Sequence, residues 1–193
     1  MLRIATSADI PAILDIYAPY VLSSTATFEY TVPTVEEFTG RFNTVTSQYP
    51  WLIWEENGEI LGYAYASAPY TRAAYAWCAE PSIYLRSDAK GRGIGTKLYT
   101  ALEAILDKQG YHLLYALVTG ENAESIAFHV KFSYNKRAFF PDCGWKFGRW
   151  LGVFWMEKRL KTVEFPTEPP TSWLSIRQKG EILADILDSL SLS

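Results

Sequence analysis

The chain has 193 residues, a length that suits one domain with a sizeable core and leaves little room for a second. Apolar residues make up 49% of it and aromatic residues 16%, which excludes a disordered chain. The net charge of −3 is spread without long single-sign blocks, so there is no positive field for a nucleic-acid backbone and no basic face for an anionic membrane.

In chain order, residues 2–5 read as a short apolar strand. Thr6-Ser7-Ala8-Asp9 follows, where a hydroxyl caps a helix that carries Pro11 in its first turn. Ile10, Ile13, Leu14, Tyr17 and Val21 recur at helical spacing. A polar-aromatic stretch, residues 23–33, contains Phe28-Glu29-Tyr30, and Thr34 opens a second helix with Phe38 and Phe42 on its apolar stripe. Residues 51–55 and 60–68 form a hairpin turned at Asn57-Gly58, and residues 75–85 a longer extended segment. Residues 91–95 begin a helix that runs through Leu98, Leu102, Ile105 and Leu106 and ends near Gly110. Residues 113–118 are a near-continuous apolar run, as expected of a strand covered on both faces. Residues 122–132 read as another helix, and residues 134–140 and 151–160 as the last strand pair.

This order places helices on both faces of a mixed sheet, an α/β (α+β) domain over residues 1–161. Beyond it, Pro166, Pro169 and Pro170 remove backbone donors, which predicts a linker. Ile182, Leu183, Ile186, Leu187 and Leu190 then form an apolar stripe, so residues 162–193 are read as a linker and an amphipathic helix. That helix must dock on its own domain or on another subunit. Cys78 and Cys143 have neither metal-ligand spacing nor the density of a disulfide framework, and His112 and His129 stand apart from any ligand cluster, so no metal is expected. The first residues lack the apolar core of a signal peptide and no run is long enough to cross a bilayer, so a reducing, cytoplasmic setting is expected.

Four segments carry chemistry. Lys90-Gly91-Arg92-Gly93-Ile94-Gly95, with Thr96 behind it, opens a helix after the extended segment. Its glycines let several N–H groups face outward at the positive end of a helix dipole, an arrangement that suits a pyrophosphate. The alternative is an ordinary glycine-rich turn. The spacing matches neither Gly-x-Gly-x-x-Gly nor a P-loop. In Tyr75-Ala76-Trp77-Cys78-Ala79-Glu80-Pro81-Ser82-Ile83-Tyr84-Leu85, Glu80 is an acid among apolar and aromatic residues. It faces a cleft, pairs with a cation, or lies at an edge, and Pro81 implies a bulge or a stop in pairing. Asn122 caps the helix that carries Ser125 and His129. A histidine there is either a structural imidazole or a chemical one. Finally, Cys143-Gly144-Trp145-Lys146-Phe147-Gly148-Arg149-Trp150 lies between the last strands, as an aromatic hairpin packed on the core or as a substrate loop.

In their order, these segments resemble the GNAT superfamily of N-acetyltransferases, in its phosphinothricin acetyltransferase-like branch, over residues 2–160. Lys90 stands where the pyrophosphate loop of that superfamily has Arg or Gln, and loses the planar fork. His129 occupies the tyrosine position of the superfamily, as it does in this branch. Ser133 replaces a helix-ending glycine, which predicts a strained turn. Gly152 stands where relatives commonly have aspartate.

The resemblance implies a mixed central sheet with a splayed, bulged central strand and acetyl-CoA as cosubstrate. It implies a pantetheine arm held by backbone groups of Ile83, Tyr84 and Leu85, with Asn122 and Ser125 beside it, and a pyrophosphate on Lys90, Gly91, Arg92, Gly93, Ile94, Gly95 and Thr96. Glu80 is then the general base, and His129 relays protons or protonates the leaving thiolate. Phe28, Glu29, Tyr30 and Trp150 wall the acceptor, and Lys146, Arg149 or Arg72 hold its carboxylate or phosphinate. The implied acceptors are small amino-acid-like amines such as phosphinothricin or methionine sulfoximine and sulfone, and the implied assembly is a homodimer. A protein or peptide N-acetyltransferase and a catalytically silent acyl-CoA-binding module are the rival readings. A substrate panel separates the first, and tight CoA binding without any acetylation would favour the second.

Overall fold

A computed structural model describes residues 1–160 and 168–178. Seven strands form one sheet in the order β1-β2-β3-β4-β5-β7-β6. They are β1 Leu2–Ile4, β2 Trp51–Glu56, β3 Glu59–Ser67, β4 Cys78–Leu85, β5 Leu113–Thr119, β6 Asn135–Lys146 and β7 Arg149–Arg159. The helices are α1 Ile10–Ser23, α2 Val35–Thr46, α3 Ile94–Gln109, α4 Ala123–Lys131 and a short α5, Trp173–Gln178.

Alternation along the strands divides the core. Trp51, Ile53 and Tyr63 turn to one face, where α1 and α2 bring Ile10, Ile13, Phe38 and Phe42. Leu52, Ala64, Ala66, Leu114 and Ala116 turn to the other, against Leu98, Leu102 and Leu106 of α3. Local signals explain the ends of the helices. Thr34 and Glu37 cap α2 reciprocally, and Gly110, at φ 99°, closes α3 in the left-handed region. The Asn57-Gly58 turn has φ of 52° and 81°, as a two-residue hairpin requires.

Every neighbouring pair of strands but one is antiparallel. β4 and β5 run parallel and pair at only Cys78↔Leu113 and Ala79↔Leu114. From Glu80 onward, β4 stays with β3 and β5 stays with β7, so the sheet consists of two halves joined at two residue pairs. The splayed strand is present, but the bulge expected at Pro81 is not. The β3–β4 register runs unbroken from Ser67↔Glu80 through Ala66↔Pro81 to Gly62↔Leu85. The backbone directions explain why. The Trp77 carbonyl accepts from His112 on the β5 side, while the Arg86 N–H turns to Leu61 of β3. By alternation the N position of Pro81 faces the β5 side, where pairing has already stopped, so its missing N–H leaves no ladder bond unmade.

Three other expectations are corrected. Residues 75–77 do not join β4, because Ala73–Tyr75 form a 3-10 turn ahead of it. The last two strands run further than residues 134–140 and 151–160: of the two readings open for residues 143–150 the hairpin holds, with Lys146↔Arg149 paired across a two-residue turn at Phe147 and Gly148, at φ of 53° and 73°. The core also does not finish near Lys161. Trp173 and Ile176 are buried in the α3-side core, while the predicted stripe from Ile182 to Leu190 lies outside the described residues.

Ser133 has φ 66° where α4 ends, with the Tyr134 N–H reaching the His129 carbonyl at 3.0 Å. Ser133→Gly is expected to raise stability by up to ~1 kcal/mol, because the left-handed region strains a side chain but not glycine. Chemical denaturation checks it, and an unchanged or lower stability contradicts the strain.

Candidate active site

The gap between the half-sheets opens a cleft of about 190 Å³. It brings together Glu80, Ile83, Tyr84, Leu85, Lys90, Gly95, Asn122, Ser125 and His129, which are distant in sequence. Thr119, Phe128 and Tyr20 line it too.

Glu80 stands one residue past the last β4–β5 pair. Among the described residues it makes no ion pair and no hydrogen bond, and burial pushes its carboxyl above the ordinary glutamate value. Of the readings open from sequence, the one that faces a cleft holds. Residues 81, 83 and 85 direct their backbone toward the gap. Pro81 has no N–H, and the Leu85 N–H lies 3.3 Å from the Tyr20 hydroxyl, which itself donates to the Leu85 carbonyl at 2.6 Å. The donor from β4 that remains directed into the cleft is the Ile83 N–H, so the three-residue backbone site narrows to one amide. Tyr84 supplies no free donor there, since its backbone turns to β3 and its ring packs at 5.0–5.3 Å from the rings of Tyr17, Tyr20 and Tyr63.

At one end of the cleft, Gly91 and Gly93 hold φ of 73° and 81° and deliver the chain into α3. Helical bonding begins with the Lys97 N–H on the Gly93 carbonyl at 3.1 Å, which leaves the preceding N–H groups without intrahelical acceptors. Gly95 permits close approach: a Cβ there would lie 3.3 Å from Leu85 Cδ1 and 3.6 Å from Phe128. Gly91, Arg92, Gly93, Ile94 and Thr96 adjoin the cleft rather than line it, and the Arg92 guanidinium is engaged by Glu56 at 2.6 Å. Lys90 is paired with Glu124 at 2.9 Å, and both line the cleft. An anion bound there competes with Glu124 for the ammonium. Glu124→Gln is therefore expected to lower the KM for a phosphate-bearing ligand between about 1.5- and fivefold, the range of an exposed ion pair. Steady-state kinetics at two salt concentrations test it, and a raised KM contradicts it.

His129 is 5% exposed. Its Nδ1 lies 2.8 Å from the Ser125 carbonyl oxygen and 3.3 Å from Ser125 Oγ. A carbonyl only accepts, so the neutral ring holds its proton on Nδ1 and leaves Nε2 an acceptor. Burial also lowers the imidazole pKa, which disfavours a charged ring. This geometry suits accepting or relaying a proton, and it gives the expected donation to a thiolate no proton at Nε2. Asn122 Oδ1 accepts from the Ser125 N–H at 3.1 Å, capping α4 as expected.

The residues expected at the acceptor do not gather in this cleft. Lys146 is 1% exposed, and its Nζ donates to the carbonyls of Ser24 and Thr27, each at 2.7 Å. It is a tether that holds the segment after α1, and two of its three ammonium donors are used there. Phe28 packs on the hairpin at Gly144, where a Cβ would lie 2.1 Å from the ring. Glu29 pairs with Arg41 and lines a second cavity, of about 390 Å³, on the α1–α2 face with Tyr65 and Ser67. Ser67 stands opposite Glu80 in the β3–β4 register. Arg72 is exposed, Arg149 pairs with Glu121 at 2.7 Å, and Trp150 is 60% exposed with its ring 5.1 Å from Trp145. At Gly152, the space a side chain would fill is occupied by Phe139, whose Cζ would sit 2.3 Å from a Cβ.

Tyr20 was the residue least visible in sequence. It lies one position beside the apolar stripe of α1, and only the fold carries its hydroxyl to Leu85. Among the described residues there is no group of acidic, cysteine or histidine side chains able to hold a metal, and no helix long and apolar enough to cross a membrane.

Comparison with known proteins agrees with this geometry. A sequence profile of the acetyltransferase (GNAT) domain matches residues 2–155. The chain is 32% identical to a phosphinothricin N-acetyltransferase of Streptomyces viridochromogenes, over 87% of its own length and 90% of that protein. It is 34% identical to an L-methionine sulfoximine/L-methionine sulfone acetyltransferase of Pseudomonas aeruginosa, over 82% and 94%. A solved phosphinothricin acetyltransferase from Sinorhizobium meliloti, in complex with acetyl-CoA, superposes with a TM-score of 0.81 at 37% identity, covering 89% of this chain and 92% of that one.

Proposed function

The chain belongs to the GNAT acetyltransferase family and is an acetyl-CoA-dependent N-acetyltransferase; from that premise we propose that it acetylates the primary amine of a small amino-acid-like acceptor by direct attack in a ternary complex. The observation that carries the proposal is Glu80, half-buried and without a side-chain partner among the described residues, at the first position beyond the β4–β5 joint, in the cleft that ends on the glycine-led start of α3.

In this reading acetyl-CoA lies in the gap, its pyrophosphate toward the free amides before α3 and its thioester near Glu80. The amine gives a proton to the Glu80 carboxylate and attacks the thioester carbon. The Ile83 N–H faces the oxygen on which charge develops, the C–N bond forms, and the C–S bond breaks to release CoA thiolate. The neutral His129, held by Ser125, offers Nε2 as an acceptor in the same cleft. The acceptor enters from the α1–α2 face, where the second cavity presents the Glu29–Arg41 pair and reaches Ser67, opposite Glu80. Phosphinothricin and methionine sulfoximine or sulfone are the acceptors named for the relatives, and they fit a small zwitterion-bearing site of this kind. We also read the exposed aromatic side chains at the tip of the terminal hairpin, Trp145, Phe147 and Trp150, as a self-association patch that makes a homodimer.

Acetyl-CoA-dependent thiol release with these analogues, ordinary amino acids and peptides tests the function. Turnover of the sulfur or phosphorus analogues far above that of ordinary amino acids supports it. Turnover confined to peptides would replace it with protein acetylation, and CoA binding without any turnover would leave a silent module. Sedimentation of the full chain tests the assembly, and a monomer would remove it.

A further inference from the structure

The two half-sheets meet at only two residue pairs, yet the distance between them beyond Ala79 sets the cleft. What holds that wedge at a fixed opening is therefore a question of mechanism. Part of the answer lies at the base of the joint, where the Trp77 carbonyl accepts from the N–H groups of both His112, at 2.9 Å, and Leu113, at 3.3 Å.

A second tie comes from the far end of the described chain. The Trp77 indole N–H donates to the Glu168 carbonyl at 3.2 Å, so residues 168–178 touch the segment that leads into β4. The Trp173 N–H donates to the Gln48 carbonyl at 3.0 Å, next to the start of β2 and hence on the same half-sheet. The Thr171 N–H donates to the Gln109 carbonyl at 2.8 Å, and Gln109 Nε2 returns a bond to the Thr171 carbonyl at 2.8 Å while also reaching the Gln48 carbonyl at 2.9 Å. Gln109 ends α3, which packs against β2, β3 and β4, and the chain runs on from it through residues 110–112 into β5, on the other half. The strap is anchored by burial as well: Trp173 is 1% and Ile176 4% exposed, in the core cluster that contains Ala79 and Leu114, the last pair of the joint. Ser172 caps its short helix through the Ser175 N–H at 3.3 Å.

We infer that residues 168–178 are a positioning strap for the active-site cleft: they tie the lead-ins of β2 and β4 to the lead-in of β5 and so fix the opening between Glu80 and the β5 wall. Trp77, Gln109 and Trp173 are positioning residues in this sense, since none lines the cleft. A domain whose halves share two residue pairs would otherwise sample a range of openings, and an ångström of misplacement at a reacting group is enough to lose most of its effect. The inference rests on reading the gap as the acetyl-CoA cleft.

The test uses the full chain with Gln109→Met, Trp77→Phe and Trp173→Leu, and Trp173→Phe as the conservative partner. Kinetics are measured well below each variant's own melting temperature, and amide hydrogen exchange is followed in residues 80–85 and 116–119, with α1 and α2 as the internal reference. A positioning strap predicts that kcat/KM for acetyl-CoA falls about tenfold or more in Gln109→Met and Trp173→Leu. Exchange should rise in the cleft strands and not in α1 or α2, and Trp173→Phe should restore most of both. Trp77→Phe, which loses one exposed hydrogen bond, should show the same pattern weakly. A lowered melting temperature with wild-type kcat/KM and wild-type cleft exchange would overturn the inference and leave the strap as simple core. If the unaltered chain failed to bind CoA, the functional reading would fall instead, and the exchange pattern would still decide whether the strap holds the wedge.

Discussion

Glu80→Gln is expected to remove nearly all turnover and, at neutral pH, to raise the melting temperature. The loss of rate follows from the chemistry: the amide cannot accept the amine proton, and positioned general bases contribute between about a hundredfold and ten-thousandfold. The gain in stability follows from burial. Glu80 is half-buried, its side chain has no hydrogen-bond or ion-pair partner among the described residues, and desolvation raises its pKa. The folded chain therefore binds that proton more tightly than the unfolded chain does. Stability from this group is complete below the ordinary glutamate pKa and falls as pH rises through the raised value, so at neutral pH the fold carries the whole desolvation cost of the charge. A neutral amide of the same shape removes it. The difference in melting temperature between the two proteins should shrink toward zero on acidification below the ordinary glutamate range. In the wild-type chain, kcat/KM should rise with pH through the same raised value, as the carboxylate becomes competent, and Glu80→Gln should lose that dependence. Calorimetry across pH and a pH–rate profile check both limbs. Full turnover by Glu80→Gln with CoA still bound would remove Glu80 as the base, whatever its effect on stability.

That a carboxylate is tolerated at a net cost to the fold is a sign of a site held for chemistry rather than for packing. His129 makes the contrast clear. It is more deeply buried than Glu80, but its Nδ1 has a hydrogen-bond partner and its pKa moves the other way, toward the neutral ring. Burial thus leaves two proton acceptors in one cleft, an acid made more basic and a base made less so. Among the described residues, the acid lacks a hydrogen-bond partner and the imidazole does not.

How much of this was legible before folding depended on the range of the interactions. The glycines of residues 91–95, the caps at Thr34 and Asn122, and the Asn57-Gly58 turn act within a few residues, and they could be read directly. Glu80 was conspicuous because a lone acid in an apolar strand demands a reason. At Pro81 both a bulge and a stop in pairing were open, because a missing N–H has two remedies; the stop holds, and sequence could not choose it without showing that the neighbouring strand has already departed. Trp173 looked like part of a linker, since the prolines ahead of it are visible and the pocket between Gln48 and Gln109 is not. The residues of the terminal hairpin show the same limit in another form. A Lys among aromatics has the look of an anion ligand, and nothing local reveals that its ammonium is already occupied.

Lys146→Met gives the second large effect, and it separates these two roles for the lysine. The side chain is buried, burial lowers its pKa, and its Nζ bonds to the carbonyls of Ser24 and Thr27. Methionine keeps most of the length and apolar contact but leaves both carbonyls without that donor, at a cost of about 2 to 5 kcal/mol. Phe28 and Glu29 follow immediately on the freed segment, with Phe28 packed at Gly144 and Glu29 paired to Arg41, so the acceptor side of the protein should loosen as a unit. The expected result is a lower melting temperature and a KM for the acceptor raised tenfold or more, on the order expected for a displaced positioning group, with the KM for acetyl-CoA little changed. An acceptor and its decarboxylated amine decide between tether and ligand. If Lys146 held the substrate carboxylate directly, the decarboxylated amine would be indifferent to Lys146→Met. A tether predicts that both acceptors lose the same factor, because what changes is the wall of the site and not a charge within it. Selective loss with the carboxylate-bearing acceptor alone would restore Lys146 as a substrate ligand, and would require its ammonium to leave Ser24 and Thr27 on binding.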